Sequence, residues 1–416
     1  MAPHTHRGSV LRERCIRPLV PELPLPRTAP AGALNISIDC RYVRERPSGI
    51  GAYVRALVDR LPLLDPTSRF HLWVDPRAPR PLSPEENVRE SIVRAPANSL
   101  STLLAPSRLV DLDDIDVLHE PFNLLGRGIR CATVVTVHDL MWLESPADSE
   151  GLSLGTPFKA AFYSDGIRRA LREATRLATI SHATADVIRR LAPRAASRVR
   201  VIPHGVEPRF HPPADRDLAA ARSAERLGIR GRYLLVVGQN APSKNHRMVL
   251  DAFAAADLPR DVHLVVLQRL YRGRRFGVLG APSLAERARD LRIRDRVVFP
   301  DRLDDDALVE LVQGAIALVQ FSKYEGFGMP GLEALACGTP VIASSIPPLL
   351  EVLGTAAVHL PLRGSELARA LERVTRDRGL ARELSARGPE RARKFSWDRS
   401  AQLHLELYRE AALSAR

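Results

Sequence analysis

The hydrophobic positions of this chain gather into short apolar runs that alternate with amphipathic stretches. LNISID at 34–39 reads as a strand and RPSGIG as a turn, after which AYVRALVDRL places Val54, Leu57, Val58 and Leu61 on one helical face. Further strands are expected at 69–74, 116–120, 132–138, 176–181 and 198–203, with helices near 156–173 and 183–192. Strands alternating with helices in this way imply a parallel sheet covered on both faces. The stretch 204–217 breaks the rhythm with three prolines, and it marks a domain junction. From YLLVVG the alternation resumes: a helix from about 245 to 256, HLVVLQ, a helix near 282–291, RVVFP, a helix near 305–313, AIALVQ, a helix from about Gly331, then PVIAS. The expected organisation is therefore a leader at 1–32, α/β Rossmann-like domains at 33–205 and 206–394, and a tail at 395–416. In that tail Leu403, Leu407 and Tyr408 form an apolar stripe that needs a partner. Two such domains in tandem put a site in the cleft between the carboxyl ends of their strands.

Composition narrows the function classes. With 416 residues, 45% hydrophobic and 26% charged, the chain can bury two or three cores and is far from a disordered composition. No window approaches 18 uninterrupted apolar residues, so no membrane-spanning helix is expected. Cys15, Cys40, Cys131 and Cys337 are scattered, without CxxC or His/Cys ligand spacing, which argues against a disulfide scaffold or structural zinc and fits the cytoplasm. The net charge of +13 would suit an anionic partner, but only four of the 61 basic residues are lysines, the mark of a compositional bias towards arginine. Aromatics are 5% with no basic-aromatic interleaving, so nucleic acid is not an expected partner. The leader holds six prolines and a basic start but no continuous apolar segment, which fails as a secretory signal and leaves open a peripheral contact with an anionic membrane.

The densest chemistry lies in FSKYEGFGMPGLEALACGTPVIAS at 321–344. Gly326, Gly328 and Gly331 allow close approach of backbone to a ligand, Pro330 can open a helix, and the N–H groups of a helix start attract phosphate. Glu325 and Glu333 would repel that phosphate unless they grip something neutral, such as sugar hydroxyls. Lys244 follows a buried strand at a loop-helix boundary, where a cation can neutralise a diphosphate. His138 and Asp139 end another strand, in position either to enter the cleft or to form a structural hydrogen-bonded pair. His119 and Glu120 similarly follow a strand and read as cleft wall or as a structural turn. Gly49 and Gly51 form a turn too short for a dinucleotide fingerprint, with Arg44 and Arg46 beside it. Ser181 and His182 lack the surroundings of a hydrolase dyad, and Asp304–Asp306 fit a helix cap better than a metal site.

These segments resemble the retaining nucleotide-sugar glycosyltransferases of family 4, which have the GT-B fold, and the similarity covers roughly 33–413. SGIGAYVRAL, TVVTVHDL, ISHATADVI, VIPHGVEPRF, VVGQNAPSKN, YEGFGMP and EVLG occur in the family's order, and the two glutamates stand at the family's spacing. The resemblance implies that Glu325 and His138 contact the donor sugar in catalysis and that Glu333 binds the nucleotide ribose. It implies that Lys244, the Gly328–Pro330 backbone including Met329, and the Gly49–Gly51 turn meet the donor phosphates. Arg44, His119, Glu120 and Asp139 then belong to the acceptor side, Arg44 or Arg46 serving an anionic acceptor, and the final helix returns to the first domain. Many relatives carry an arginine early in the Lys244 loop, where this chain has Gln239 and Asn240, so the usual second cation is missing there and Arg247 or an arginine from elsewhere is the candidate to replace it. The implied reaction moves a hexose, mannose slightly favoured and GDP-mannose the favoured donor, to a saccharide, lipid-linked or natural-product hydroxyl. No metal and no cofactor beyond the donor is expected. A non-catalytic sugar- or nucleotide-binding protein, and a phosphorylase- or epimerase-like enzyme on the same fold, are the alternatives.

Overall fold

The computed structural model describes residues 32–45, 48–150, 156–268, 283–300 and 303–415; all but the last residue of the 1–32 leader, and Arg46, lie outside them. β1 (Asn35–Asp39), β2 (Arg69–Val74), β3 (Val88–Ile92), β4 (Val117–Glu120), β5 (Ala132–Val137), β6 (Arg176–Thr179) and β7 (Val199–Val201) form one sheet, ordered β3-β2-β1-β4-β5-β6-β7. β8 (Arg232–Val237), β9 (Val262–Leu267), β10 (Val297–Val298), β11 (Ala317–Gln320), β12 (Val341–Ser344) and β13 (Val358–Leu360) form the other, ordered β10-β9-β8-β11-β12-β13. All pairings are parallel. In each sheet the winding reverses after its first strand, between β1 and β4 and between β8 and β11, which opens a crevice at the carboxyl ends there.

The central strands are apolar because helices cover both faces. β5 (ATVVTV) and β11 (ALVQ) are buried at every position. The expected strand at 198–203 contracts to β7, RVVFP contributes only the two residues of β10, and the loop expected to run to 217 ends at Asp215, whose carboxylate caps the helix Arg216–Leu227 through the Leu218 N–H. Gly49 and Gly51 do not form a turn. They lie in the first turn of the helix Gly49–Val58, because the Ser48 hydroxyl caps it by accepting the Gly51 N–H at 3.1 Å.

The last helix, Trp397–Ala415, is built into the first half. Trp397, Leu403, Leu407 and Tyr408 share a core with Ile36 and Ile38 of β1, Val134 of β5 and Leu57 of the Gly49–Val58 helix. The chain thus passes between the halves twice, and the two passages touch. Val206 N–H donates to Phe395 C=O at 3.3 Å, and a Cβ on Gly205 would lie 2.1 Å from the Trp397 nitrogen. Only glycine allows that contact. Gly205→Ala should therefore lower stability by about 1–3 kcal/mol through overpacking, read as a fall in melting temperature of several degrees; an unchanged melting temperature would show that the two passages separate freely.

Candidate active site

The second sheet delivers two loops to its crevice. β8 ends in Val237 and leads through Gly238 to Lys244, while β11 ends in Gln320 and leads to Glu325. Lys323 N–H donates to Ser243 C=O at 2.7 Å and ties the loops together. Lys244 Nζ then meets Glu325 Oε2 at 2.7 Å, and Glu325 Oε1 accepts from Gln320 Nε2 at 3.0 Å and Ser322 Oγ at 2.7 Å. Burial alone would raise the Glu325 pKa, but the Lys244 ammonium and these donors outweigh it and hold the carboxyl below its ordinary value. It is a carboxylate whose three partners all donate.

Glu325 is followed by the backbone turn that opens the helix Met329–Ala336. Gly328 has φ of +105°, and a Cβ there would stand 2.4 Å from Leu349 Cδ2, so the position requires glycine twice over. Pro330 occupies the first turn, and Gly338 closes the helix with φ of +67°. One N–H at this helix start is already used, since Gly331 N–H donates to Gln320 Oε1 at 2.8 Å. Gln320 thus holds both the helix end and Glu325, a buried link that carries no motif signal in the sequence. Glu333 lies on the second turn, half-buried. Gln239 and Asn240 are half-buried after β8, and Arg247 sits just inside the helix His246–Ala255.

The first half presents His138 and Asp139 directly after β5. Asn123, itself buried, accepts the His138 N–H through Oδ1 at 2.8 Å and donates through Nδ2 to Asp139 C=O at 2.9 Å. The His138 ring bonds Pro121 C=O through Nε2 at 2.8 Å; a carbonyl can only accept, so Nε2 carries the proton and Nδ1 offers a lone pair. Burial pushes the His138 pKa down to about 4, and the ring is neutral at pH 7. Asp139 Oδ1 accepts the Met141 N–H at 3.1 Å, and burial raises its pKa against the pull of that N–H and of Lys244. His138 and Asp139 stand across from Glu325: a Cβ on Gly326 would come within 2.0 Å of His138 C=O and 3.4 Å of the Asp139 Cβ.

Further bonds close the two halves on each other. Tyr324 O–H donates to Glu144 at 2.9 Å and accepts the Leu140 N–H at 3.2 Å, and Ser181, the cap of the helix His182–Leu191, donates to Gly326 C=O at 2.8 Å. Glu351 accepts the His182 and Ala183 N–H groups at 2.8 and 2.9 Å, a carboxylate on the positive end of that helix.

Not every predicted site residue reaches the cleft. His119 is fully buried, bonded to Thr136 and Tyr408 behind the sheet, so it is not cleft wall. A strand buried on both faces gives no alternation from which the direction of that side chain could be read. Glu120 is 5% exposed, close to the buried Asp39–Arg41 pair, and Arg44 faces Asp75 at 3.2 Å. Asp304 caps the helix Asp305–Gly314 by accepting the Ala307 N–H at 2.8 Å, and Asp305 pairs with Arg209.

Family descriptions match both halves: Glycosyltransferase Family 4 over residues 47–210 and Glycosyl transferases group 1 over 221–393. The chain belongs to the family 4, group 1 glycosyltransferases. It is accordingly a hexosyltransferase. The D-inositol 3-phosphate glycosyltransferase of Acidothermus cellulolyticus is 29% identical over 95% of this chain and 89% of that protein. Further proteins of that name match over 50% to 63% of their own length. The serotype-specific mannosyltransferase WbdA of Escherichia coli is 28% identical over 66% of this glycosyltransferase, a stretch equal to 33% of WbdA. Among solved structures, the sucrose-phosphate synthase of Thermosynechococcus elongatus superposes with a TM-score of 0.69 over 90% of this chain and 98% of its own, at 21% identity, and shares the GT-B fold. No described helix is long and apolar enough to cross a membrane.

Proposed function

We propose that this glycosyltransferase moves a hexosyl unit, mannose slightly favoured, from a nucleoside diphosphate sugar to a hydroxyl of a saccharide, lipid-linked or natural-product acceptor with retention of configuration. The observation that carries the reading is the Lys244–Glu325 pair at the crevice of the second sheet, facing the neutral His138 of the first. In this reading Lys244 neutralises the departing diphosphate and Glu325 accepts sugar hydroxyls. His138 Nδ1 offers a further acceptor, and Glu333 takes the ribose as in the resembled family. Retention is what the resemblance to family 4 implies, and among the described residues no carboxylate at this point is spare to act as a nucleophile, which favours a front-face step over a covalent intermediate. Glu325 is engaged on both oxygens, and Asp139 is held by a backbone N–H. The reading is therefore a front-face substitution: the C1–O bond to phosphate breaks, the acceptor oxygen bonds C1 from the same side, and the hydroxyl proton passes to the departing phosphate. The name of WbdA favours mannose, and GDP-mannose is the donor of first choice.

The experiment is transfer from GDP-mannose and other nucleotide sugars to a hydroxyl acceptor, with the anomeric configuration of the product read by NMR. An inverted product would overturn the mechanism. Transfer should survive excess chelator, because cations and a helix terminus are assigned to the phosphates and the Asp304–Asp306 run is engaged as a cap and an ion pair. Loss of activity in chelator, restored by magnesium or manganese, would overturn that assignment.

A further inference from the structure

The loop between β11 and the helix Met329–Ala336 faces two ways. The Glu325 side chain turns back to Lys244, Gln320 and Ser322 of its own half, whereas the residues on either side of it meet the first half. Before it, Tyr324 O–H donates to Glu144 Oε2 at 2.9 Å and accepts the Leu140 N–H at 3.2 Å. After it, Gly326 C=O accepts the Ser181 hydroxyl at 2.8 Å, and a Cβ on Gly326 would come within 2.0 Å of His138 C=O. We propose that Tyr324 is a positioning residue for transfer: its phenol ties the Asp139–Leu140 peptide of the first half to the residue next to Glu325, and so sets the distance at which the Glu325 carboxylate and the His138 ring hold the sugar between them.

The bonds around that peptide single out the phenol. Within the first half, Asn123 takes the His138 N–H and the Asp139 C=O at 2.8 and 2.9 Å, and Asp139 Oδ1 takes the Met141 N–H at 3.1 Å. Of the backbone groups from His138 to Met141 whose bonds are described, the Leu140 N–H is the one that crosses to the second half, and Tyr324 receives it. A phenol suits the place because it accepts from an N–H and donates to a carboxylate at once. Burial and the charges of Asp139 and Glu144 raise its pKa above the ordinary tyrosine value, so the proton stays on it and the bonds keep their direction. Glu144 is steadied in turn by Arg190, which holds its other oxygen. The effect falls on the chemical step. Lys244, Glu333 and the helix start at Met329, assigned to the nucleotide, all stand on the second half, so nucleotide binding needs the bridge little. Breaking the bond at C1 uses groups of both halves together, and a misplacement of about 1 Å between them costs up to about a hundredfold in rate.

The inference rests on the reading of Glu325 and His138 as sugar contacts, and the experiment keeps the two apart. Turnover of nucleotide sugars by the full chain, GDP-mannose first and UDP-glucose second, is measured beside Glu325→Gln, and binding of the matching diphosphate, GDP or UDP, is measured by calorimetry. Tyr324→Phe, which keeps the ring and loses both bonds, should lower kcat about 10–100-fold while donor KM and diphosphate Kd move less than about twofold. Glu144→Gln keeps an oxygen that accepts the phenol proton and should stay within about threefold of wild type, whereas Glu144→Ala should fall most of the way to Tyr324→Phe. Added to Tyr324→Phe, Glu144→Ala should cost nothing further. A Tyr324→Phe enzyme with wild-type kcat, or one that loses diphosphate affinity and melting temperature together with kcat, overturns the positioning role while leaving the sugar contacts standing. Wild-type turnover by Glu325→Gln removes the sugar contacts, and the role of Tyr324 with them.

Discussion

Glu325→Gln should lower transfer by about 10²–10³-fold at saturating donor, while binding of the nucleoside diphosphate stays within a few-fold of wild type. The size follows from what surrounds the carboxylate. Its oxygens receive Lys244, Gln320 and Ser322, and all three donate. An amide supplies one oxygen and one NH₂, so the variant must turn two hydrogens towards a donor and lose the ionic bond to Lys244. The ammonium is then released rather than removed, which is why diphosphate affinity should persist. Calorimetry with the diphosphate and initial rates with the donor separate the two effects. Wild-type turnover in the variant would place the sugar away from Glu325, and parallel loss of binding and turnover would make the residue a structural prop for the Lys244 loop.

Much of this arrangement is legible in the sequence because it consists of apolar runs and dense loop motifs. RFHLWV is β2 to the residue, and the alternation from YLLVVG onwards gives the second sheet nearly complete. What escapes has physical reasons. β3 (VRESI) is an edge strand with exposed Arg89, Ser91 and Ile92, so no buried run marks it. The helix Arg378–Ala392 carries Gly388 and Pro389, which read as breakers, yet glycine is needed there because a Cβ would lie 2.7 Å from Leu335 C=O on the neighbouring helix. In the site, the charged and glycine positions stand out as motifs, whereas Asn123 and Gln320 do not. Their amides act through backbone groups brought together only by the crossovers at β4–β5 and at β11.

His404 and Tyr408 show the same limit, and they lead to the largest stability effect expected of this fold. His404 Nδ1 bonds Ser400 C=O at 2.7 Å and must donate, so its Nε2 accepts the Tyr53 O–H at 2.8 Å. Tyr53 then accepts from Thr136, Thr136 from His119 Nε2, and His119 Nδ1 from the Tyr408 O–H. Each group in this chain has its one available role filled only when both imidazoles are neutral. A proton on His404 Nε2 would point at a hydroxyl that already donates towards it. Burial accordingly depresses both histidines, His404 to about 4, with the Arg200 charge adding to the effect. His246 and His138 are also held at about 4 by burial, and His204 well below its ordinary value. The unfolded chain binds these protons below about pH 6.5 and the native chain only near pH 4, so native stability is full above pH 6.5 and falls through that window. For a histidine held at about 4, the loss is about 3 kcal/mol. Glu120 and Asp139, whose pKa values burial raises, work in the opposite direction and offset part of the loss. With several such histidines against a usual stability of about 5–15 kcal/mol, the melting temperature should drop steeply from pH 7 to pH 5, and the chain should unfold in acid near pH 5. His404→Phe, which cannot be protonated, should flatten part of that dependence even if it lowers the melting temperature at pH 7. A melting temperature that is level from pH 7 to 4.5 would show that these imidazoles ionise freely within the fold.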